Sequence, residues 1–122
     1  MLNDARPPIF GTGKQSRDFT FVANVVQANE LAALSKGIGG GEVFNVASGR
    51  DYTILELVKI LNRLMGKKIK PVFLPVRPGD VFKTLADLTL GKRKLKFMPG
   101  IKFEEGLEIS IKYFMKRWQR KQ

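Results

Sequence analysis

Residues 42–66, EVFNVASGRDYTILELVKILNRLMG, decide the fold class. Residues 42–47 are short, apolar and rich in β-branched and aromatic side chains, so they read as a mostly buried strand. Ser48-Gly49-Arg50-Asp51 then reads as a turn. A helix follows: Thr53 can cap it, Glu56 three residues on can reach back to complete a capping box, and Ile54, Leu57, Val58, Leu61, Leu64 and Met65 make one stripe. Gly66 ends the pattern, and Lys67 and Lys68 suit the negative end of the helix dipole. A strand, a tight turn and an amphipathic helix in direct succession predict an α/β unit.

Toward the N-terminus, Pro7 and Pro8 enforce extended, turn-like backbone, which leads into a glycine loop, Gly11-Thr12-Gly13-Lys14. Phe19, Thr20, Phe21 and Val22 predict a strand. Val25, Val26, Ala28, Leu31, Ala32 and Leu34 then recur at helical spacing until Gly37, and residues 37–41 form a flexible connection. Toward the C-terminus, residues 70–76 are apolar but flanked by prolines, so they predict an edge strand, and Arg77-Pro78-Gly79-Asp80 a turn. A short amphipathic helix is expected over 87–95, closed by Pro99 and Gly100. A long helix is expected over 103–118, with Phe103, Leu107, Ile111, Phe114 and Trp118 on its core face. Glu104, Glu105 and Glu108 lie near its positive end and Lys116, Arg117, Arg120 and Lys121 near its negative end. The sum is a small single mixed α/β domain with short strands and about four helices.

The chain has 122 residues, 43% of them hydrophobic and 27% charged, with no cysteine and no histidine. Folding a chain of this mass buries roughly two-thirds of its unfolded surface, enough for one core without a metal or a disulfide. The missing residue types exclude thiolate zinc sites, imidazole ligands and cysteine or serine–histidine nucleophiles. No apolar run approaches the length a spanning helix needs and the N-terminus has no signal pattern, so a cytoplasmic protein without membrane contact is expected.

Twenty-two basic residues stand against 11 acidic ones, a net charge of +11. Such a balance favours an anionic partner, whether nucleic acid, nucleotide or acidic surface. Residues 92–122 hold 10 of the basic residues and 3 of the acidic ones, so the excess gathers at the C-terminal end. That run sits at the dipole-favoured end of a helix and lacks interleaved aromatics apart from Trp118, which the core stripe claims. It reads as a solvated helix end, with a polyanion site as the alternative.

The glycine loop is not a phosphate loop, because Pro8 stands where the first glycine is required and a strand pattern follows where a helix should. Neither Gly11-x-Gly13 nor Gly37-x-Gly39 continues to the third glycine of a dinucleotide fingerprint, since Ser16 and Glu42 occupy those positions. Two charged pairs remain, Arg17 with Asp18 and Arg77 with Asp80, each in a loop beside an apolar segment. A guanidinium suits bidentate phosphate recognition and a carboxylate can accept from a sugar diol. The plain reading of both is a local surface ion pair.

Four stretches, PPIFGTGKQSRDFTFVANVVQANELA (7–32), GEVFNVASG (41–49), RPGDVFKTLADL (77–88) and KFEEGLEISIKYFMKRW (102–118), occur in the order and spacing of a known family. Together they resemble the C-terminal, substrate-binding part of the NAD-dependent epimerase/dehydratases, extended short-chain dehydrogenase/reductases of the UDP-glucose 4-epimerase type, over about residues 7–118. The resemblance implies a domain that binds a UDP- or dTDP-hexose. By it, Arg17 and Arg77 contact the diphosphate, Asp80 accepts from the ribose hydroxyls, Asn45 orients the nucleotide, and Ile9 and Phe10 lie near the base, mostly through backbone groups. In the family NAD and a Tyr-x-x-x-Lys pair belong to an N-terminal Rossmann domain, which is absent from residues 1–122. Here Tyr52 is followed four residues on by Glu56 and Tyr113 by Arg117, so no cofactor is expected on this chain and no catalysis by it alone.

The resemblance also implies a partner, a second copy or a separate NAD-binding chain, to cover the surface that meets the Rossmann domain. A non-catalytic assembly or regulatory subunit derived from that domain is the first alternative, and a basic nucleic-acid-binding module the second. Three departures from the family pattern stand out: Asn24 where aspartate is usual, Phe21 for tyrosine, and Lys96 for a glycine. The first bears on local hydrogen bonding, and the other two are expected to be tolerated.

Overall fold

The computed structural model describes residues 1–120. Its elements in chain order are β1 (Pro8–Phe10), β2 (Ser16–Arg17), α1 (Val22–Leu34), β3 (Tyr52–Thr53), α2 (Ile54–Leu64), β4 (Val72–Leu74), α3 (Thr89–Leu95) and α4 (Phe103–Gln119). This is the small mixed α/β unit with four helices and short strands that the sequence predicts. β1 and β4 pair in parallel with Ile9 opposite Phe73, and β2 and β3 pair antiparallel with Arg17 opposite Tyr52.

The proline-flanked edge strand lies where expected, as β4, but its partner β1 falls in a segment read as turn-like. Pro8 has no N–H to give, and as the first strand residue it needs none; the ladder starts instead with the Val72 N–H donating to the Pro7 carbonyl at 2.9 Å. The capping box of α2 is complete: the Glu56 N–H donates to Thr53 Oγ1 at 3.1 Å, and the Thr53 N–H to Glu56 Oε2 at 2.7 Å. At the far end of α2, Lys67 departs from the dipole reading. Its ammonium donates to the carbonyls of Met1 and Leu2 and pairs with Asp4 at 2.8 Å.

Two expected strands are not there. Residues 19–21 have no ladder partner among the described residues and lead into α1, which begins at Val22, three residues before the expected start, with Phe21 extended at the N-cap. Their aromatic rings pack on α4 rather than on a sheet: Phe19 stacks on Phe103 at 5.1 Å, and Phe21 lies against Gly106, where an added Cβ would sit 3.0 Å from the ring. Residues 42–47 keep the burial alternation of a strand, Phe44 and Val46 facing inward and Val43 outward, but they have no ladder partner among the described residues. Their pattern records a buried face, and pairing needs a neighbour the pattern cannot supply.

The core forms where α1 meets α3. Ala28, Leu95 and the fully buried Phe97 make its centre, with Leu31, Ala32, Ile38, Phe44 and Val46 around it. Lys96, between Leu95 and Phe97, caps α3 at φ +55°, the left-handed conformation that suits the glycine usual at this place. The expected helix over 87–95 starts only at Thr89, because the Asp87 carboxylate accepts from the Thr89 N–H at 2.8 Å and closes a turn there.

Asn24, 1% exposed, donates to the Ile101 carbonyl at 2.8 Å and accepts from the Ile101 N–H at 2.9 Å. An amide serves both groups, where an ionised carboxylate could only accept. In α4 the predicted core stripe holds at Phe103, Leu107 and Ile111 but not beyond. Phe114 is 53% and Trp118 43% exposed, each lining an open groove beside Leu2 and Met65. Lys121 lies outside the described residues. No described helix is long and apolar enough to cross a membrane.

Candidate functional site

The C-terminal end of β1 and the loop after β4 enclose a cleft of about 170 Å³ lined by Phe10, Gly11, Thr12, Gln15, Val76 and Asp80, with Val81 and Phe82 closing it. Gly11 takes φ +81°, a backbone conformation that favours glycine, and a Cβ there would meet the Val76 side chain at 3.3 Å. Gln15 braces this turn by donating its side-chain amide to the Phe10 carbonyl at 2.7 Å. Ile9 is buried in the strand beneath, so only its backbone can serve the cleft.

Arg77 and Asp80 bracket the turn expected between them, closed by the Asp80 N–H donating to the Arg77 carbonyl at 3.2 Å. The Arg77 guanidinium lies 3.4 Å over the Phe10 ring centre. That face-on contact holds the cation at the cleft without engaging its N–H donors. Among the described residues neither the Arg77 guanidinium nor the Asp80 carboxylate has a hydrogen-bond or ion-pair partner. Arg17 stands behind the cleft on β2, donating to the Ser16 carbonyl at 2.7 Å and, at 3.5 Å, to the carbonyl of the lining residue Phe82.

Neither charged pair is the local ion pair of the plain reading. The described ion pairs are Arg63–Glu104, Lys67–Asp4, Lys83–Asp51 and Lys94–Glu42. Asp18 turns away from Arg17 and accepts from the N–H and hydroxyl of Ser48, at 2.8 and 2.6 Å, and from the Gly49 N–H at 3.0 Å. Asn45 does not line the cleft; its amide donates to the Asp87 carbonyl at 3.2 Å. The structure thus brings Phe10 and Asp80 to one cleft, stacks Arg77 on the Phe10 ring, ties Arg17 to the lining residue Phe82, and places Asn45 on a separate seam. Gln15 and Phe82 went unmarked in the sequence because nothing in their spacing distinguishes them from ordinary loop residues.

A cleft of this volume holds one ring, not a whole nucleotide-sugar, since sites for ligands of that size run to several hundred Å³. The fold around it is known. The structure superposes with a TM-score of 0.90 on UDP-glucose 4-epimerase from Thermotoga maritima, solved with UDP-glucose, at 41% identity over 97% of this chain and 37% of that one. It superposes equally well, at 30% identity, on UDP-glucuronic acid 4-epimerase from Bacillus cereus in complex with UDP-glucuronic acid and NAD, covering 94% of this chain and 37% of that one.

Among curated proteins the sequence is 36% identical to UDP-glucuronate 4-epimerase of Thermodesulfobacterium geofontis over 86% of this chain and 32% of the relative. It is 32% identical to UDP-glucose 4-epimerase of Mycolicibacterium smegmatis over 91% and 35%. No protein-family model matches. The chain is therefore homologous to a part of UDP-sugar epimerases of the NAD-dependent epimerase/dehydratase family, spanning about a third of the length of the curated relatives it matches.

Proposed function

We propose that this chain is the nucleotide-sugar-binding part of a UDP-glucose 4-epimerase-like enzyme and takes a UDP- or dTDP-hexose. The observation that carries the reading is the cleft lined by Phe10 and Asp80, with Arg77 stacked on the Phe10 ring and the guanidinium donors and the Asp80 carboxylate without partners among the described residues. In this reading the base enters against Phe10 and the backbone of Ile9 and Phe10, and Asp80 accepts from the ribose diol. Arg77 swings its fork from the ring to the diphosphate, joined by Arg17, and charge-assisted bonds of this kind set both affinity and orientation. Asn45 orients the nucleotide through the segment it anchors.

NAD belongs, in this reading, to the remaining two-thirds of such an enzyme. The chain's own glycine turn does not fit a dinucleotide: it leads into β2 rather than a helix, and at Gly13 a Cβ would sit 2.7 Å from Leu55. Without a Tyr-x-x-x-Lys pair the chain alone is expected to form no UDP-galactose from UDP-glucose and NAD. Val22, Val26, Leu34 and Val43 expose apolar side chains on α1 and on the unpaired 42–47 segment, the last 83% exposed. Exposed apolar side chains of this kind suit a covering protein, either a second copy or the NAD-binding part on a separate chain. They also support the second reading, a non-catalytic assembly or regulatory subunit.

Calorimetric titration with UDP, then UDP-glucose, at physiological salt tests the reading. Saturable one-to-one binding, weakened about tenfold by Arg77→Ala, is the expected outcome, on the scale of a lost charged hydrogen bond. No saturable binding would overturn it in favour of the assembly role. Binding of nucleic acid that falls steeply with salt and ignores UDP would favour the basic module instead.

A further inference from the structure

We propose that Asp18 is a positioning residue for the nucleotide site, a carboxylate that locks three chain segments into the register the binding residues require. This rests on the cleft's assignment to a nucleotide. Oδ1 accepts from the Ser48 N–H at 2.8 Å and from the Ser48 hydroxyl at 2.6 Å; Oδ2 accepts from the Gly49 N–H at 3.0 Å and, at 3.5 Å, from the Ala86 N–H. Each segment so joined carries a binding candidate. Asp18 itself follows Arg17 at the end of β2, Ser48 and Gly49 end the stretch that carries Asn45, and Ala86 ends the loop that begins at Arg77 and passes through Asp80.

The backbone beside Asp18 reinforces the same junction. The Ser16 N–H donates to the Phe82 carbonyl at 2.9 Å, and the Thr84 N–H donates to the Ser16 carbonyl at 3.2 Å. The Arg77–Asp80 loop is therefore held to β2 at one point by backbone and at a second by the Asp18 carboxylate. Asn45 adds a third tie across the seam through the Asp87 carbonyl.

Every group facing Asp18 is a donor, so the residue must accept with both oxygens. An ionised carboxylate does this and an amide does not, because one arm of an asparagine would present N–H₂ to the Gly49 and Ala86 N–H groups. Asp18 touches no part of the cleft lining. Its effect on a ligand passes through the placement of Arg17, Arg77 and Asp80, where displacements of about 1 Å are enough to cost much of a site's effectiveness.

The test compares UDP titrations of the full chain, its Asp18→Asn variant and Val58→Ala, a change at a buried α2 side chain that takes no part in the junction's hydrogen bonds, with melting temperatures and amide exchange read on each. Asp18→Asn is expected to weaken UDP binding about tenfold. Val58→Ala should lower the melting temperature but leave affinity within about twofold of the parent, because it removes packing and no contact to the junction. Exchange should quicken at the Gly49 and Ala86 amides in Asp18→Asn alone.

Unchanged affinity in a folded Asp18→Asn overturns the proposal. So does an equal loss in Val58→Ala, which would reduce Asp18 to general stability. If Asp18→Asn does not fold, Ser48→Ala removes one of the four donors to Asp18, together with the hydroxyl's local bonds to the Arg50 backbone, and should still weaken UDP twofold or more; parental affinity in that variant overturns the proposal. If the parent chain itself ignores UDP, the nucleotide reading fails. The coupling then stands or falls on whether the Arg77 and Asp80 resonances shift in Asp18→Asn.

Discussion

Arg17-Asp18 and Arg77-Pro78-Gly79-Asp80 are near-duplicates as sequence, an arginine and an aspartate in a loop beside an apolar run, yet the fold sends the two carboxylates to opposite duties. Asp18 is surrounded by the N–H groups of Ser48, Gly49 and Ala86, all outside helices and strands, and it satisfies them. Asp80 sits at the lip of a cleft with no described partner. The arginines differ in the same way, Arg17 partly engaged by the Ser16 carbonyl and Arg77 laid on the Phe10 ring. Which backbone donors the fold delivers to a carboxylate decides whether it ties segments together or stays free at the surface.

Removing the two carboxylates should therefore cost very different amounts. In urea unfolding, Asp18→Ala is expected to lose about 3 kcal/mol, because several backbone donors lose a charged acceptor, whereas Asp80→Ala should stay within about 0.5 kcal/mol of the parent. Equal losses would erase the distinction. Arg77→Ala should invert the pattern in a paired measurement, with UDP affinity down by about 1.4 kcal/mol and a melting temperature close to the parental one.

Lys96 isolates a backbone cost from any donor or acceptor. Its φ of +55° is a conformation glycine adopts freely, so Lys96→Gly is expected to stabilise the chain by about 1 kcal/mol in the same urea assay. A loss of stability would show that the lysine side chain contributes more than its backbone strain removes.

The smallest effect is on the acid side. Gly39 N–H, the Lys94 ammonium and Gly40 N–H hold the Glu42 carboxyl at about 2, below its ordinary 4.5. The Ser16 hydroxyl and Lys83 lower Asp51, the Thr53 N–H and hydroxyl lower Glu56, and the Thr89 hydroxyl and N–H lower Asp87. These folded values lie beneath those of the unfolded chain. The stabilisation is therefore complete above the unfolded values near pH 4.5 and is lost as pH falls toward 2. Urea midpoints should stay level from pH 7 to about 5 and then drop, with a smaller drop in Glu42→Gln.

The elements that were legible in advance are those built from local rules. The α2 capping box, the turn at 77–80, the proline-flanked β4 and the long α4 each depend on residues within a turn or two of one another. The candidate site was legible only in its types. Charge and loop position marked Arg17, Arg77 and Asp80, and resemblance added Phe10 and Asn45, but that Arg77 rests on Phe10, that Asn45 ties to Asp87, and that Asp18 serves the junction all depend on contacts between residues far apart in the chain.

What the sequence by itself determined is the α/β class, the capped helix α2 and the absence of thiol and imidazole chemistry, since capping, periodicity and composition act locally. Tertiary structure alone decided whether residues 19–22 and 42–47 became strands, how far the α4 stripe is buried, and which aspartate holds the fold. Those outcomes depend on what stands opposite, and a burial pattern is the same whether the face meets a paired strand, a helix or solvent beyond the end of the core.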